Sequence, residues 1–323
     1  MSKLVVRVLK VAAAAVIYYL LYHYGLFSLD ILKSIASDPW FLTMGGLAIF
    51  ATVPLGSLRW WQFLDTQGLR MGFFRVFGIF YLGFFANTLL LGAIGGDVVR
   101  AAVVCQDSQG SRMPALSTIL LDRVCGLYAI ICVGALSGLL LPQESFGHPL
   151  INALRSFVLV AFGVVTAATA AALVFAARLV AWGQARRVEG KNFILAKLLD
   201  LLAAIASFRK APGRLGFGFA VSIIIQLLTV LTVFLACWIG GHSQLGYWDC
   251  AFATSMAMLA SIIPLTPGGM GIGEAAFTQV CLLIVASQSS QGITDAFVAF
   301  RVVGLLVALP GLLFYSIMGR KTA

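Results

Sequence analysis

Two short stretches of this chain combine residues that can do chemistry in apolar surroundings. In the first, Gly95-Gly96-Asp97 is followed 26 residues beyond the acid by Arg123; in the second, Gly273-Glu274 is followed 27 residues beyond the acid by Arg301. The arginine-bearing runs match one another, Arg123-Val124-Cys125-Gly126-Leu127 against Arg301-Val302-Val303-Gly304-Leu305. Four identities in five residues of apolar sequence carry little alone, but the same glycine-acid-arginine order in both halves marks an internal repeat. The chemistry this permits is recognition of an anion. A guanidinium presents a planar fork to a carboxylate or phosphate, and a half-helix restarting after a glycine break points its amide N–H groups and positive dipole end into that break. Asp97, Asp122 and Glu274 are the candidate partners of the two arginines. Two readings stay open: an arginine that receives a phosphate, and an ion pair that only braces the chain. The acids have a second reading of their own, as caps of the half-helices they begin.

Around this repeat lie further candidates. Arg100 follows Asp97 by one turn, where it meets a lipid phosphate or the lipid surface. Asn87 is a polar group in an apolar run, suited to carbonyls freed at the break. The breaks themselves are Gly95 and Gly96 in the first half and Pro264, Pro267, Gly268, Gly269, Gly271 and Gly273 in the second. Arg59-Trp60-Trp61 closes a hydrophobic run and reads as an interfacial anchor.

The elements that must position these residues are set by hydropathy. Hydrophobic residues make up 61% of the 323 positions and charged residues 11%, too little polar surface for a soluble globule. Apolar runs long enough to cross a bilayer fall near 9–27, 40–62, 114–140, 151–177, 214–239 and 293–317. Two further stretches, 73–105 and 248–289, are interrupted at the glycine-rich centres and are expected to be re-entrant helical hairpins. The fold class is therefore all-α and polytopic, with about six transmembrane helices and two hairpins in an inverted repeat. One domain spans 1–323, its first half 1–140 and its second 151–323, with an amphipathic cytoplasmic connection at 178–213 within which 190–208 suits either a helix lying on the inner leaflet or a solvated linker.

The formal charge of +10 follows membrane sidedness. With hairpins at both breaks, eighteen basic residues fall on the cytoplasmic side, from Lys3, Arg7 and Lys10 through Arg178, Arg186, Arg187, Lys191 and Arg214 to Arg320 and Lys321, while only Lys33 and Arg155 fall outside. A crossing at the first break would force the basic 178–214 connection outward. Both termini are thus expected in the cytoplasm, the N-terminal run as a retained helix and not a cleaved signal. On this topology the hairpins enter from opposite sides and their tips meet near the midplane. Arg123 then lies about nine residues, or ~14 Å, into its span, too deep to snorkel, at an insertion cost of at least ~2.5–3.5 kcal/mol.

Several classes are disfavoured. There is no GxSxG, HExxH or phosphate-loop motif, and His23, His148 and His242 stand apart from one another. The six cysteines lack metal or redox spacing. No cofactor, metal or catalytic residue is expected, and the basic charge calls for lipid, not nucleic acid. A homo-oligomer stays open.

Asn87 with Gly95-Gly96-Asp97-Val98-Val99-Arg100, the run Asp122-Arg123-Val124-Cys125-Gly126-Leu127, and Pro264 through Gly273-Glu274 together resemble the motifs of the lysylphosphatidylglycerol synthase transmembrane family, also described as flippase-like or UPF0104 proteins. The resemblance covers nearly the whole chain. It implies lipid translocation in a bacterial cytoplasmic membrane, with Asp97, Arg100, Asp122, Arg123, Glu274 and Arg301 as the residues to which a role carries over. The aminoacyl transferase module of the larger members has no counterpart before Ala323, so synthase activity is not carried over. The expectation is a flippase or transporter for an anionic phospholipid or lipid-phosphate headgroup, with membrane lipids as its partners and an inverted-repeat site of the kind found in alternating-access transporters. The alternatives are an intramembrane enzyme or accessory of lipid-linked glycan or hopanoid synthesis, and a non-transporting scaffold.

Overall fold

A computed structural model describes residues 19, 23, 29–89, 95–107, 113–141, 148–185, 203, 206–263, 266, 269–285 and 292–314. Every regular element among them is helical, as expected where no water is present to satisfy a backbone outside helices or closed barrels. In chain order they are α1 (Leu29–Ser37), a π-helical turn (Phe41–Gly45) running into α2 (Gly46–Thr66), α3 (Phe73–Leu89), α4 (Gly95–Asp107), α5 (Met113–Leu140), α6 (Pro149–Ala185), a 3₁₀ turn (Phe208–Lys210), α7 (Pro212–Ile239), α8 (Tyr247–Ser261), α9 (Ile272–Val285) and α10 (Ile293–Ala308).

Five helical segments are long and apolar enough to cross a membrane: Phe41–Thr66, Met113–Leu140, Pro149–Ala171, Pro212–Ile239 and Ile293–Phe314. They coincide with five of the six expected spans. The sixth, 9–27, lies outside the described residues apart from Tyr19 and His23. The 190–208 surface helix likewise lies outside them except at its end, where Phe208 is buried edge-on against Phe63.

Both interrupted stretches are pairs of short helices packed side by side, α3 with α4 and α8 with α9. Their lengths of 17, 13, 15 and 14 residues give ~20–25 Å each at 1.5 Å per residue, short of the ~30 Å hydrocarbon layer. Each pair folds back on itself. In the first, Gly83 lies against Gly96 and the stem of Arg100, while Asn87, one turn further on, also reaches Gly96. In the second, Ser261 at the end of α8 lies against Gly269 and Gly273 at the start of α9. The turn into α9 uses positive φ at Gly269 (68°) and Gly271 (82°), a conformation glycine alone adopts at little cost. Pro264, Pro267 and Gly268 fall outside the described residues.

The packing around the hairpins decides what they hold. The first hairpin lies against α2, α5 and α10; the second against α5, α6, α7 and α10. Small residues permit the close crossings: Gly134 and Gly138 of α5 face Ser255 and Phe252 of α8. The largest core cluster gathers Phe252, Phe277 and Phe297 between α8, α9 and α10. By contrast α6 turns most of its apolar surface outward, with Phe157, Val160 and Val164 all exposed. It is the peripheral span, and lipid is the solvent that suits it.

Candidate functional site

The two arginines of the repeat each meet the acid of their own half. Arg123 on α5 holds Asp97, the third residue of α4, through a bidentate pair with Nε to Oδ2 at 2.5 Å and Nη2 to Oδ1 at 2.7 Å. Arg301 on α10 holds Glu274, the third residue of α9, with Nε to Oε1 at 2.6 Å. Counted along the helices, Arg123 lies ~15 Å from the Met113 end of α5 and Arg301 ~12 Å from the Ile293 end of α10. The repeat read from spacing is therefore a repeat of contacts.

The first half builds a larger cluster than its motif indicated. Asp122 does not share Arg123. Successive residues on a helix point ~100° apart, and Asp122 faces inward, where its Oδ1 takes Arg59 Nε at 2.8 Å and Nη2 at 2.7 Å while its Oδ2 takes Arg100 Nη1 at 2.9 Å. Arg59 also donates through Nη1 to Ser222 Oγ on α7 at 2.6 Å. Arg59, Asp122 and Arg100 are all buried. The Arg100 guanidinium lies 4.1 Å over the Trp60 ring and 4.8 Å from that of Phe80, a cation–π cage, and Trp60 Nε1 donates to Thr118 Oγ1 at 3.1 Å. Five helices thus converge on one point: α2, α3, α4, α5 and α7.

The expectation that Arg59-Trp60-Trp61 is an interfacial anchor is overturned. Arg59 and Trp60 are buried, because α2 continues to Thr66 and carries them about two turns inside the helix end. Trp61 keeps an edge position, donating to the Met71 carbonyl at 2.8 Å. Arg100, expected near the lipid surface, is also interior. Asn87 acts in a sense opposite to the one expected: its Oδ1 accepts the Gly96 N–H at 2.7 Å, so it caps the start of α4 and does not serve a freed carbonyl. At the second break the acid performs that task itself, Glu274 Oε2 accepting the Gly271 N–H at 2.7 Å. The capping and ion-pair readings of Glu274 are therefore both realised, one oxygen each.

The two halves differ in access. In the Arg123–Asp97 pair the side chains are 42% and 19% exposed; in the Arg301–Glu274 pair they are 23% and 0% exposed. Around the latter, Arg301 Nη2 donates to the Gly269 carbonyl at 3.2 Å, and a hydroxyl contact of 2.8 Å joins Thr278 on α9 to Thr294 on α10. Beside the second hairpin, between α6, α8 and α9, runs an apolar groove of about 380 Å³ lined by residues including Leu154, Phe157, Met256, Ile263 and Leu283. Among the described residues no group of histidine, cysteine and acid side chains is placed to hold a metal ion.

A multi-pass helical membrane protein with two helical hairpins, each bearing an acid that an arginine from a spanning helix holds, is the class defined by this arrangement. The family profile described as the lysylphosphatidylglycerol synthase TM region matches residues 5–311, and the chain belongs to that family. It is similar to a UPF0104 membrane protein of Methanothermobacter thermautotrophicus, 24% identical over 247 residues, covering 73% of each chain. It is also similar to Glycosyltransferase AglD of Haloferax volcanii, 26% identical over 269 residues, which cover 75% of this chain and 43% of that protein. The chain thus spans less than half the length of the latter relative.

Proposed function

We propose that this chain moves a lipid with an anionic, phosphate-bearing headgroup from one leaflet of a bacterial cytoplasmic membrane to the other. The observation that carries the reading is the pair of acid–arginine contacts, Asp97–Arg123 and Glu274–Arg301, each at the start of a returning half-helix. With the chain threaded so that its basic connections are cytoplasmic, the hairpins are re-entrant from opposite faces, and Arg123 and Arg301, ~15 Å and ~12 Å from the ends of their helices, both lie near the middle of the ~30 Å hydrocarbon layer. A headgroup phosphate then has two arginine stations to visit near the midplane. Acyl tails stay in the bilayer throughout; the apolar groove beside the second hairpin supports such a lateral path for them. The unequal exposure of the two stations fits a protein that opens one side at a time, as inverted-repeat transporters do.

The test is reconstitution into liposomes with a fluorescent anionic phospholipid whose outer-leaflet fraction is followed by a membrane-impermeant quencher. Wild type is expected to equilibrate or pump the probe faster than protein-free vesicles, and Arg301→Ala at equal protein content to fall to the protein-free rate. Unchanged rates in Arg301→Ala remove that station from the mechanism.

A second reading, an enzyme or accessory of lipid-linked glycan assembly, is favoured by the likeness to the Haloferax glycosyltransferase. It separates from transport by product: purified protein with a sugar donor and a polyprenyl-phosphate acceptor would yield a chemically altered lipid, whereas transport changes only leaflet distribution.

A further inference from the structure

We propose that the Asp97 carboxylate holds, in this conformation, the seat of a lipid phosphate on Arg123, and that an arriving headgroup loads by displacing Asp97 and engaging Arg100 as well. This rests on the anionic-lipid reading above and names how its first station, at Arg123, is loaded.

Charge balance is the first ground. Among the described residues, Arg59, Arg100 and Arg123 face only Asp97 and Asp122, so this group carries one positive charge in surplus in surroundings that penalise it. The second ground is that the two acids are unequal. Asp122 is 4% exposed with both oxygens committed to buried guanidinium groups. Asp97 is the exchangeable one: it lies at the open side of the cluster against a half-exposed Arg123.

Third, the Arg100 side chain is buried, yet its Nε and Nη2 have no hydrogen-bond partner among the described residues. The same guanidinium approaches Asp97 Oδ1 with Nη1 at 3.5 Å. Two oxygens of a phosphate reproduce the bidentate grip that Asp97 now has on Arg123, and a further oxygen comes within reach of Arg100, whose Nη1 already approaches the Asp97 position. A carboxylate has none to offer there. Finally, the Gly83–Gly96 crossing brings the backbones of α3 and α4 into direct contact, and Asn87 holds the Gly96 N–H, so the first turn of α4 stays anchored while the Asp97 side chain swings.

The second half shows what a closed station looks like. Glu274 is fully buried, one oxygen on Arg301 and the other on the Gly271 N–H. Loading therefore starts at Asp97 in the conformation described.

Binding is measured by calorimetry on the full chain in a zwitterionic detergent, titrated with dihexanoyl phosphatidic acid, with glycerol 3-phosphate and with inorganic phosphate. Wild type is expected to bind the short-chain lipid. Asp97→Asn and Asp97→Ser, which remove the competing carboxylate, are expected to bind it about tenfold more tightly, and Arg123→Ala to lose at least as much. Unchanged or weaker binding in both Asp97 variants, with wild-type binding intact, overturns the displacement and leaves the lipid reading standing. No binding by wild type overturns the lipid reading itself, and binding of inorganic phosphate as tight as that of the lipid reassigns the seat to a soluble anion. Should the variants fail to fold, carboxyl labelling of wild type with a water-soluble carbodiimide decides: Asp97 is expected to be modified faster when the lipid is added, and slower or unchanged modification overturns the displacement.

Discussion

Replacing Asp122 with asparagine keeps the shape of the side chain and removes only its charge. The carboxylate is 4% exposed and its two guanidinium partners are 8% and 4% exposed, so water cannot take over their solvation. Breaking a buried pair from one side costs ~3–5 kcal/mol because an uncompensated charge is left behind. Here two cations, Arg59 and Arg100, lose their shared partner. At ~2–4 °C per kcal/mol for a chain of a few hundred residues, the thermal midpoint of purified Asp122→Asn should fall by roughly 6–20 °C. The control is Asp97→Asn, whose pair is 42% and 19% exposed; solvent screening limits that loss to ~1 kcal/mol and the shift to ~2–4 °C. The assay is a thiol-reactive or intrinsic-fluorescence melt in one detergent for all three proteins. A shift for Asp122→Asn no larger than that for Asp97→Asn would refute the claim that Asp122 is the buried keystone of the first half.

Gly96→Ala places a methyl group against the Gly83 carbonyl and within 2.7 Å of Asn87 Cγ; overpacking of this kind costs ~1–3 kcal/mol, and the melt of this variant should drop accordingly while a surface control such as Gly213→Ala stays at the wild-type value. Asn87→Leu strands the Gly96 N–H inside the hairpin, with an expected loss of ~1–3 kcal/mol, which Asn87→Gln does not fully restore because its amide stands one methylene further out. His242, in the loop between α7 and α8, is buried, and burial lowers its pKa from the ordinary 6.5 although a bond to the Gly292 backbone opposes this. The unfolded chain therefore takes up a proton before the folded one does, so this contribution to stability is full above about pH 6.5 and is lost as pH falls through that value towards the lower folded one. Acidification from pH 7.5 to 5.0 should lower the wild-type melting point by more than that of His242→Gln; equal drops would contradict it.

Much of the frame was legible in the chain because length and apolarity are what a bilayer selects. The five described spans follow from hydropathy, and the breaks at Gly95-Gly96 and Gly269 to Gly273 follow from residues that no continuous helix would choose. The repeat also offered Asp97 and Glu274 as partners of Arg123 and Arg301, but it offered Asp122 beside them, and only the contacts choose. Arg59 was not legible. Next to two tryptophans near the end of an apolar run it looks like an anchor, and only the true end of α2 at Thr66 shows that it is interior. One signal pointed that way: Asp122 and Arg123 lie on different faces of one helix, so a second cation had to exist for Asp122. Ser222 left no signal, because a serine in a spanning helix ordinarily bonds its own preceding turn, as this one also does to Gly218 at 2.6 Å. The hydrogen-bond sense of Asn87 was likewise beyond spacing, since an amide offers donor and acceptor alike.

The central claim is that cations held inside the bilayer by hairpin acids receive a lipid phosphate. Its most direct measurement is a structure of the protein in nanodiscs of anionic phospholipid, with the bilayer boundaries visible. The account predicts that Arg123 and Arg301 lie within the hydrocarbon layer, that the two hairpins enter from opposite faces, and that phosphate density sits within hydrogen-bonding distance of the Arg123 guanidinium. Both arginines in the aqueous phase, or hairpins entering from one face, would contradict it.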